Sequence, residues 1–474
     1  MSKGRYKTLA KNTAVFAIGS FGSKILSLML NNLYTKHIEP SEFYTKNLLE
    51  MTALFLLPVF TFSLTEAIIR FGLDRQYDKK RIFTTCTFLT LGGLVLMALI
   101  VPFLRLVPYF APLGGYVILL TVYVITSALR SLCSQFVRAR ELVKLYSFDG
   151  ILTTLMLFVF SVVFISVLDM GVKGFMLSVI LSDLCSAIFL FTFAGLKKYI
   201  SRECFDIALG KSMLKFTLPL IPTIVMWTIV TFSDQIFIGS MESDRAVLGK
   251  ASAGLYAAAA KIPNLISMLS AVFFQAWNMS AITEHDSPER SSFYENVYKF
   301  YESVLFAGAA GLLFCIKPVS SILINSSEFA EYGTVYIYTP LLVLAAVFNC
   351  MNEFLFGIYT ASKHTKNAFF TTLVTCITNL VLNYFLIPVM GIQGAALATL
   401  LSYLLCYCIR IIDARYYVPF NVDFRKTIVN SLGLMLMCLI IIFKAKYCWI
   451  WAAVIFVSAV VFNIVSLFPK RRKN

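Results

Sequence analysis

Charged side chains are scarce in this sequence, and several stand inside runs that are otherwise apolar. Glu66 and Arg70 close the apolar run that begins near Leu54. Four residues apart, they share one face of a helix and can pair. Ionisable groups within membrane spans usually face a bundle interior or a wet cavity; the alternative is that Arg70 snorkels to the interface and Glu66 neutralises it. Lys24 lies ~18 Å along a helix from Lys11, near mid-membrane and beyond easy snorkelling. Lys261, beside Pro263, lies ~12 Å into its run. Arg130 is nearer a membrane face, and snorkelling competes with a binding role for both. A buried ammonium keeps its charge only in a hydrated cavity or beside an anion. Among the acids, Asp183 is mid-run, Asp234 is ~8 Å from an outer end and Glu353 is ~12 Å from an inner end. A carboxylate at such depth pairs with a cation or binds a coupling proton or sodium ion.

These charges need helices long enough to hold them in a bilayer. Of 474 residues, 59% are hydrophobic and 14% charged, which excludes a soluble protein. Apolar runs of about twenty residues recur, each able to cross a ~30 Å hydrocarbon core. The first ends at Tyr34 and follows Lys3, Arg5, Lys7 and Lys11. It is too long for a signal peptide and lacks a small-residue cleavage site, so it reads as an uncleaved span. Spans two to six fall near residues 46–69, 82–104, 112–137, 148–168 and 172–195. Spans seven to twelve fall near 214–239, 253–282, 296–316, 333–360, 367–389 and 391–413. Two more, near 426–443 and 447–468, make fourteen.

The net charge of +16 comes from short interhelical loops, a sign of topology rather than of nucleic-acid binding. With the N-terminus in the cytoplasm, inner loops carry about 29 Lys and Arg and outer loops about nine. Residues 74–81, 197–215, 410–426 and 470–473 then lie inside, and the even span count returns the tail to the same side. Residues 283–302 form an acidic inner loop, but acidic residues weigh little in setting orientation. Cys406 and Cys408, the nearest pair of eleven cysteines, face apart on a helix and read as buried hydrophobes. His37, His285 and His364 fall in separate loops, so no metal site is expected.

The chain also repeats itself. Residues 135–196 resemble 357–415, each with a basic loop, a span, a Gly-x-x-Gly turn and a return span. The turns are Gly171-Val172-Lys173-Gly174 and Gly391-Ile392-Gln393-Gly394. An offset of six spans keeps the orientation, so the repeat is parallel. The expected domains are a six-helix bundle over 1–200, a cytoplasmic linker over 201–213, a second bundle over 214–415, and a last helix pair with basic tail over 416–474. Gly19 and Gly22 interrupt span one, and Pro219 and Pro222 interrupt span seven. Breakers at matching places of two halves point to hinges at a transport site, although glycine in membrane helices also serves close packing.

The run Asn379-Leu-Val-Leu-Asn383-Tyr-Phe-Leu-Ile-Pro388-Val-Met-Gly391-Ile-Gln-Gly394-Ala-Ala-Leu-Ala-Thr399 resembles the polysaccharide-lipid flippases. These are the Wzx-type branch of the multidrug/oligosaccharidyl-lipid/polysaccharide exporter superfamily. Gly22-Ser23-Lys24, Glu66-Ala-Ile-Ile-Arg70-Phe71, Leu218-Pro219, Asp234 and Gly254-Leu-Tyr256 support the resemblance. It implies an all-α membrane protein with two pseudo-symmetric bundles around a central cavity that opens alternately to each side. It also implies a cargo of polyprenyl-pyrophosphate-linked oligosaccharide, moved from the cytoplasmic to the outer leaflet of the cytoplasmic membrane. Glycosyltransferases and a polysaccharide polymerase are the expected partners, and no organic cofactor is expected. An anionic headgroup cannot cross hydrocarbon and needs a polar lumen with fixed cations, for which Lys24, Arg70, Lys261 and Arg130 are the candidates. Glu66, Asp183, Asp234 and Glu353 are candidates for gating or coupling. A peptidoglycan-precursor flippase and a drug/cation antiporter share the architecture. A membrane glycosyltransferase or glycan polymerase fits poorly, because the outer loops are short and hold no acid/base constellation.

Overall fold

The computed structural model describes residues 26–74, 76–106, 114–268, 270–271, 273–274, 277, 290–361 and 365–467. All regular elements among them are helical. Among the described residues, eleven helices are long and apolar enough to cross a membrane, and one bent pair adds a twelfth. They coincide with predicted spans two to seven and nine to fourteen. Of span one, the described part is helical from residue 26 to 37; of span eight, residues up to 268 and scattered residues from there to 277 are described. Gly19, Gly22 and Lys24 lie outside the described residues, as do His285 and His364. His37 ends the first helix rather than lying in a loop, and its Nε2 is 3.1 Å from Ser166 Oγ.

The chain divides into two compact units, with the boundary in sequence between Phe232 and Ser233. In the first unit, Leu64, Ile68, Phe83, Phe136, Val137 and Met213 belong to one buried apolar cluster. Phe83 stacks on Phe136 at 4.3 Å between ring centroids. The segment predicted as a linker is held against span three. Ser201 N donates to Thr84 Oγ1 at 3.2 Å, and Asp206 N donates to Thr85 Oγ1 at 3.1 Å. Asp206 then caps the helix Ile207–Thr217 by accepting from Leu209 N at 3.0 Å, the usual way an N-cap carboxylate satisfies an orphan amide.

Span two departs from the predicted continuous helix over 46–69. It is the helix Pro40–Phe60 followed, after a 54° bend, by Leu64–Gly72. Phe62 (φ 53°) and Ser63 (φ 49°) adopt left-handed backbone at the break. Pro58 lies just before it, and its carbonyl accepts from Ser63 N at 2.9 Å. The break turns the Phe60 carbonyl toward span three, where a Cβ on Gly93 would sit 1.8 Å from the oxygen. Only glycine fits there.

The two Gly-x-x-Gly turns behave alike. Gly171 (φ +52°) and Gly391 (φ +58°) supply the left-handed residue that glycine adopts without strain. A Cβ on Gly174 would lie 2.9 Å from Phe164 O, and one on Gly394 2.3 Å from Leu386 O. The predicted interruption of span seven is one 3-10 turn, Leu218–Leu220, between Ile207–Thr217 and Ile221–Ser240. Pro219 lies in that turn and Pro222 in the first turn beyond it, where a missing amide costs no helical bond.

In the second unit, span ten is central, with 83% of its apolar window buried. Trp277 stacks on Phe354 of that span at 4.2 Å and donates from Nε1 to its carbonyl at 3.2 Å. The acidic stretch predicted as loop over 283–302 is helical from Arg290, so Glu295 and Glu302 belong to the span-nine helix Arg290–Phe314. Glu302 is buried because Lys426 and Thr427 of span thirteen meet it.

The Gly93 contact makes a direct test. Gly93→Ala is expected to destabilise by about 1–3 kcal/mol, the usual cost of overpacking. Gly92→Ala, with nothing within 4 Å of its Cβ, is expected to be neutral or slightly stabilising. Thermal unfolding in detergent separates the two; equal midpoints would contradict the packing at the break.

Candidate functional site

The most elaborate polar centre is built in the second unit around Asp234, which is 1% exposed. Span seven carries Asp234 well beyond its 3-10 turn. Span eight opens with Tyr256, span eleven presents Asn379 and Asn383 one turn apart on one face, and span twelve adds Thr399. Thr399 Oγ1 donates to Asp234 Oδ2 at 2.5 Å, and Tyr256 OH donates to the same oxygen. Asn383 Nδ2 donates to Oδ1 at 2.6 Å, joined by Asn379 Nδ2 at 3.3 Å. Ser233 Oγ donates to Asn379 Oδ1 at 2.7 Å. The hallmark run from Asn379 to Thr399 and the Gly254-Leu-Tyr256 motif thus converge on one acid. Linear sequence could not show this.

Four neutral donors around one carboxylate offset its burial with dipoles instead of a counter-charge. Asn383 Oδ1 has no hydrogen-bond partner among the described residues. With both Asp234 oxygens and the Ser233 and Thr399 hydroxyls it makes an oxygen-rich cluster. Such a cluster suits a hard cation, as oxygen ligands do generally, or a proton on the carboxylate. Among the described residues, no group of three or more His, Cys, Asp or Glu side chains could hold a metal ion.

The first unit brings together two sequence candidates that were read separately. Arg130 Nη1 lies 3.4 Å from Asp183 Oδ1, and Ser127 Oγ donates to Asp183 Oδ2. Arg130 Nε donates to Ser186 Oγ at 3.2 Å, and Ser186 Oγ donates to Asp149 Oδ1 at 2.5 Å. Sequence reasoning missed Asp149, because it stands at the very start of predicted span five. The Glu66–Arg70 pair is not formed. Both side chains are exposed and make no ion pair with each other. The bend turns Leu64–Gly72 into a short amphipathic helix that buries Leu64, Ala67 and Ile68, so residues 66 and 70 lie off the buried face.

Lys261 sits where span eight breaks. The helix Lys250–Ala259 ends, residues 260–263 form turns, and helix resumes at 264. Its side chain is half-buried and makes no hydrogen bond or ion pair among the described residues. Pro263, which has no amide to donate, accounts for the break. Glu353 is half-buried on span ten, within electrostatic reach of Arg410 and beside Ser270. Arg410 itself is 1% exposed and donates to Thr371 Oγ1, Thr372 Oγ1 and Asn352 O at 3.0, 3.1 and 3.0 Å.

Two further buried cations escaped the sequence reading. Lys46, placed at the rim of span two, pairs with Glu50 at 2.7 Å and faces the Phe175 and Tyr34 rings at 4.4 and 5.1 Å. Its signal was the (i, i+4) Lys–Glu spacing. Lys426 Nζ is 3.8 Å from Glu302 Oε2 and donates to Ser303 Oγ at 2.6 Å.

The profile of the polysaccharide biosynthesis protein family matches residues 9–278. The chain belongs to that family. This bears out the resemblance read from Asp234, Tyr256 and the other motifs. Among solved structures, the fold is similar to the lipid II flippase MurJ in an inward closed conformation, with TM-score 0.69 and 14% identity over 96% of this chain and 98% of that one. It is similar to an inward-facing multidrug resistance MATE family transporter of the MOP superfamily, with TM-score 0.68 and 14% identity over 84% and 94% of the two chains. A Vibrio cholerae MATE transporter gives TM-score 0.63 and 13% identity over 87% and 97%. At these identities the likeness is one of fold, and the fold is that of membrane transporters. No curated protein sequence matches the chain.

The Asp234 centre is expected to matter for stability as well as function. Asp234→Ala strands four buried neutral donors and is expected to destabilise, at about 1–3 kcal/mol for each that finds no other partner. Asp234→Asn keeps one acceptor oxygen and is expected to cost less. Thermal unfolding in detergent checks the order; an alanine variant as stable as the wild type would contradict it.

Proposed function

We propose that the protein moves polyprenyl-pyrophosphate-linked oligosaccharide from the cytoplasmic to the outer leaflet of the cytoplasmic membrane, for surface polysaccharide assembly, by alternating access. Membership of the polysaccharide biosynthesis family supports the pathway, and the transporter fold supports the mode. The observation that carries the cargo class is Lys261. A half-buried ammonium at a helix break, without a partner among the described residues, suits a pyrophosphate. Irregular backbone within a membrane is tolerated where it lines a cavity or is covered by protein, and broken helices at such places mark transport sites. In this reading both termini are cytoplasmic, each half is a six-helix bundle, and Lys24 and Arg70 are further cations for the headgroup, while Arg130 is held by Asp183. Pro219 and Pro222 serve as the hinge of span seven, matched by Gly19 and Gly22 in span one. Glycosyltransferases act before the step and a polymerase after it.

Asp234 is the coupling site in this proposal. Its oxygen cluster takes a sodium ion or a proton, and the bound ion relaxes the cost of a buried carboxylate. Because the cluster joins spans seven, eight, eleven and twelve, occupancy biases how those helices pack.

Lys261 tests the cargo. Lys261→Ala is expected to weaken cargo binding by about 1.5–3 kcal/mol, the typical value for a hydrogen bond to a charged group. Lys261→Arg retains much of the activity, because guanidinium also binds phosphate well. Lys261→Glu abolishes it. The assay is restoration of surface polysaccharide in a strain lacking its own flippase, with expression checked for each variant. Full activity in Lys261→Glu would overturn the anionic-cargo reading.

A further inference from the structure

The stretch between spans six and seven is fixed to the first unit along one side only. Leu209 and Met213 belong to the buried apolar cluster, and Cys86 Sγ lies 3.6 Å from Met213 Sδ. A Cβ on Gly210 would touch Thr85 and Leu89 at 3.3 and 3.4 Å. Phe205 meets Phe88 edge-on at 5.8 Å between centroids, and Phe216 meets Phe71 at 6.2 Å. Thr85, Cys86, Phe88 and Leu89 stand about 9–15 Å along the span-three helix that starts at Lys79. The helix Ile207–Thr217 therefore lies at the edge of the hydrocarbon layer, beside the basic start of span three at Lys79, Lys80 and Arg81.

The other side of that helix faces away from the protein. At 3.6 residues per turn, Ile207 and Leu214 fall on one flank, and Lys211 and Lys215 on the next. Ile207 is 65% exposed. Lys211 and Lys215 are exposed and make no hydrogen bond or ion pair among the described residues. Just before the helix, Lys197, Lys198 and Arg202 are exposed beside the apolar Ile200 and Phe205. Residues 196–218 hold five basic and two acidic side chains. One of the acids, Asp206, is already engaged by Leu209 N and Arg81. An exposed apolar flank bordered by lysines is the pattern of a helix seated in a membrane interface.

We propose that this face is a binding surface for anionic phospholipid headgroups. Phe205 and Ile207 enter the acyl layer of that leaflet, while Lys211 and Lys215 meet headgroup phosphates above it. Lys197, Lys198 and Arg202 strengthen the attraction, because basic residues close to an anionic leaflet each add to binding. A zwitterionic headgroup offers the lysines no net charge, so the surface chooses between lipids. The helix runs through the 3-10 turn Leu218–Leu220 into span seven. Headgroups bound here therefore fix the point from which span seven starts.

The test needs no cargo, so its outcome is separate from that of the flippase reading. Native mass spectrometry of the purified full chain in detergent follows binding of phosphatidylglycerol and phosphatidylcholine as each is titrated. The wild type is expected to bind phosphatidylglycerol about tenfold more tightly. Lys211→Gln with Lys215→Gln is expected to remove most of that preference and leave phosphatidylcholine binding unchanged. Lys211→Arg with Lys215→Arg is expected to retain it, since guanidinium also binds phosphate. Ile207→Ser is expected to weaken both lipids alike. Lys366→Gln with Arg425→Gln removes the same charge from exposed positions of the second unit and is expected to keep the preference. Every substituted side chain is exposed, so the variants keep the fold. A wild type that does not discriminate, a second-unit pair that loses as much as the Lys211 and Lys215 pair, or displacement of the lipid by free glycerol phosphate would each overturn the proposal.

Discussion

A charge inside a membrane bundle must be met by groups from other helices, and that requirement organises both units. Asp234 is the clearest case: one carboxylate draws donors from spans eight, eleven and twelve onto span seven. The same rule holds elsewhere. Arg130, Asp183 and Asp149 tie spans four, five and six. Glu302 and Lys426 join span thirteen to span nine. Apolar side chains cannot choose among helices in this way, because lipid solvates them as well as protein does. The polar clusters therefore specify which helices are neighbours.

The two kinds of charge are distributed by partner. Asp234 and Arg410 are fully buried and satisfied by neutral groups on several helices. Lys261 is only half-buried, sits at a break in span eight, and has no partner among the described residues. The first pattern holds a structure together while leaving its charge responsive. The second leaves an ammonium available to a ligand. In the proposed transport cycle the first pattern is the one suited to an ion and the second the one suited to the cargo.

Much of this was legible in the sequence. Spans of about twenty apolar residues follow from hydropathy and the Gly-x-x-Gly turns from spacing, and Gly171 and Gly391 adopt the left-handed backbone that the turns need. The acid at Asp234 stood out by depth alone. Its partners did not, because Asn379 and Thr399 are separated from it by more than a hundred residues and only packing brings them together. The break in span two was hidden for another reason. Phe62 and Ser63 carry its left-handed backbone without glycine, so no turn residue announced it. That bend is why Glu66 and Arg70, well spaced to pair, lie exposed instead. Asp149 and Lys46 were overlooked because they fall at span margins, where charge ordinarily marks an interface.

The central claim is that the chain carries an anionic lipid-linked sugar across the bilayer. Its most direct measurement uses the purified protein in sealed vesicles with a fluorescent polyprenyl-pyrophosphate-linked oligosaccharide and a membrane-impermeant quencher. The account expects the inner-leaflet pool to become quenchable when the protein is present, at a rate that depends on an imposed sodium or proton gradient. An inner pool that stays protected, with protein shown to be folded and inserted, would contradict it.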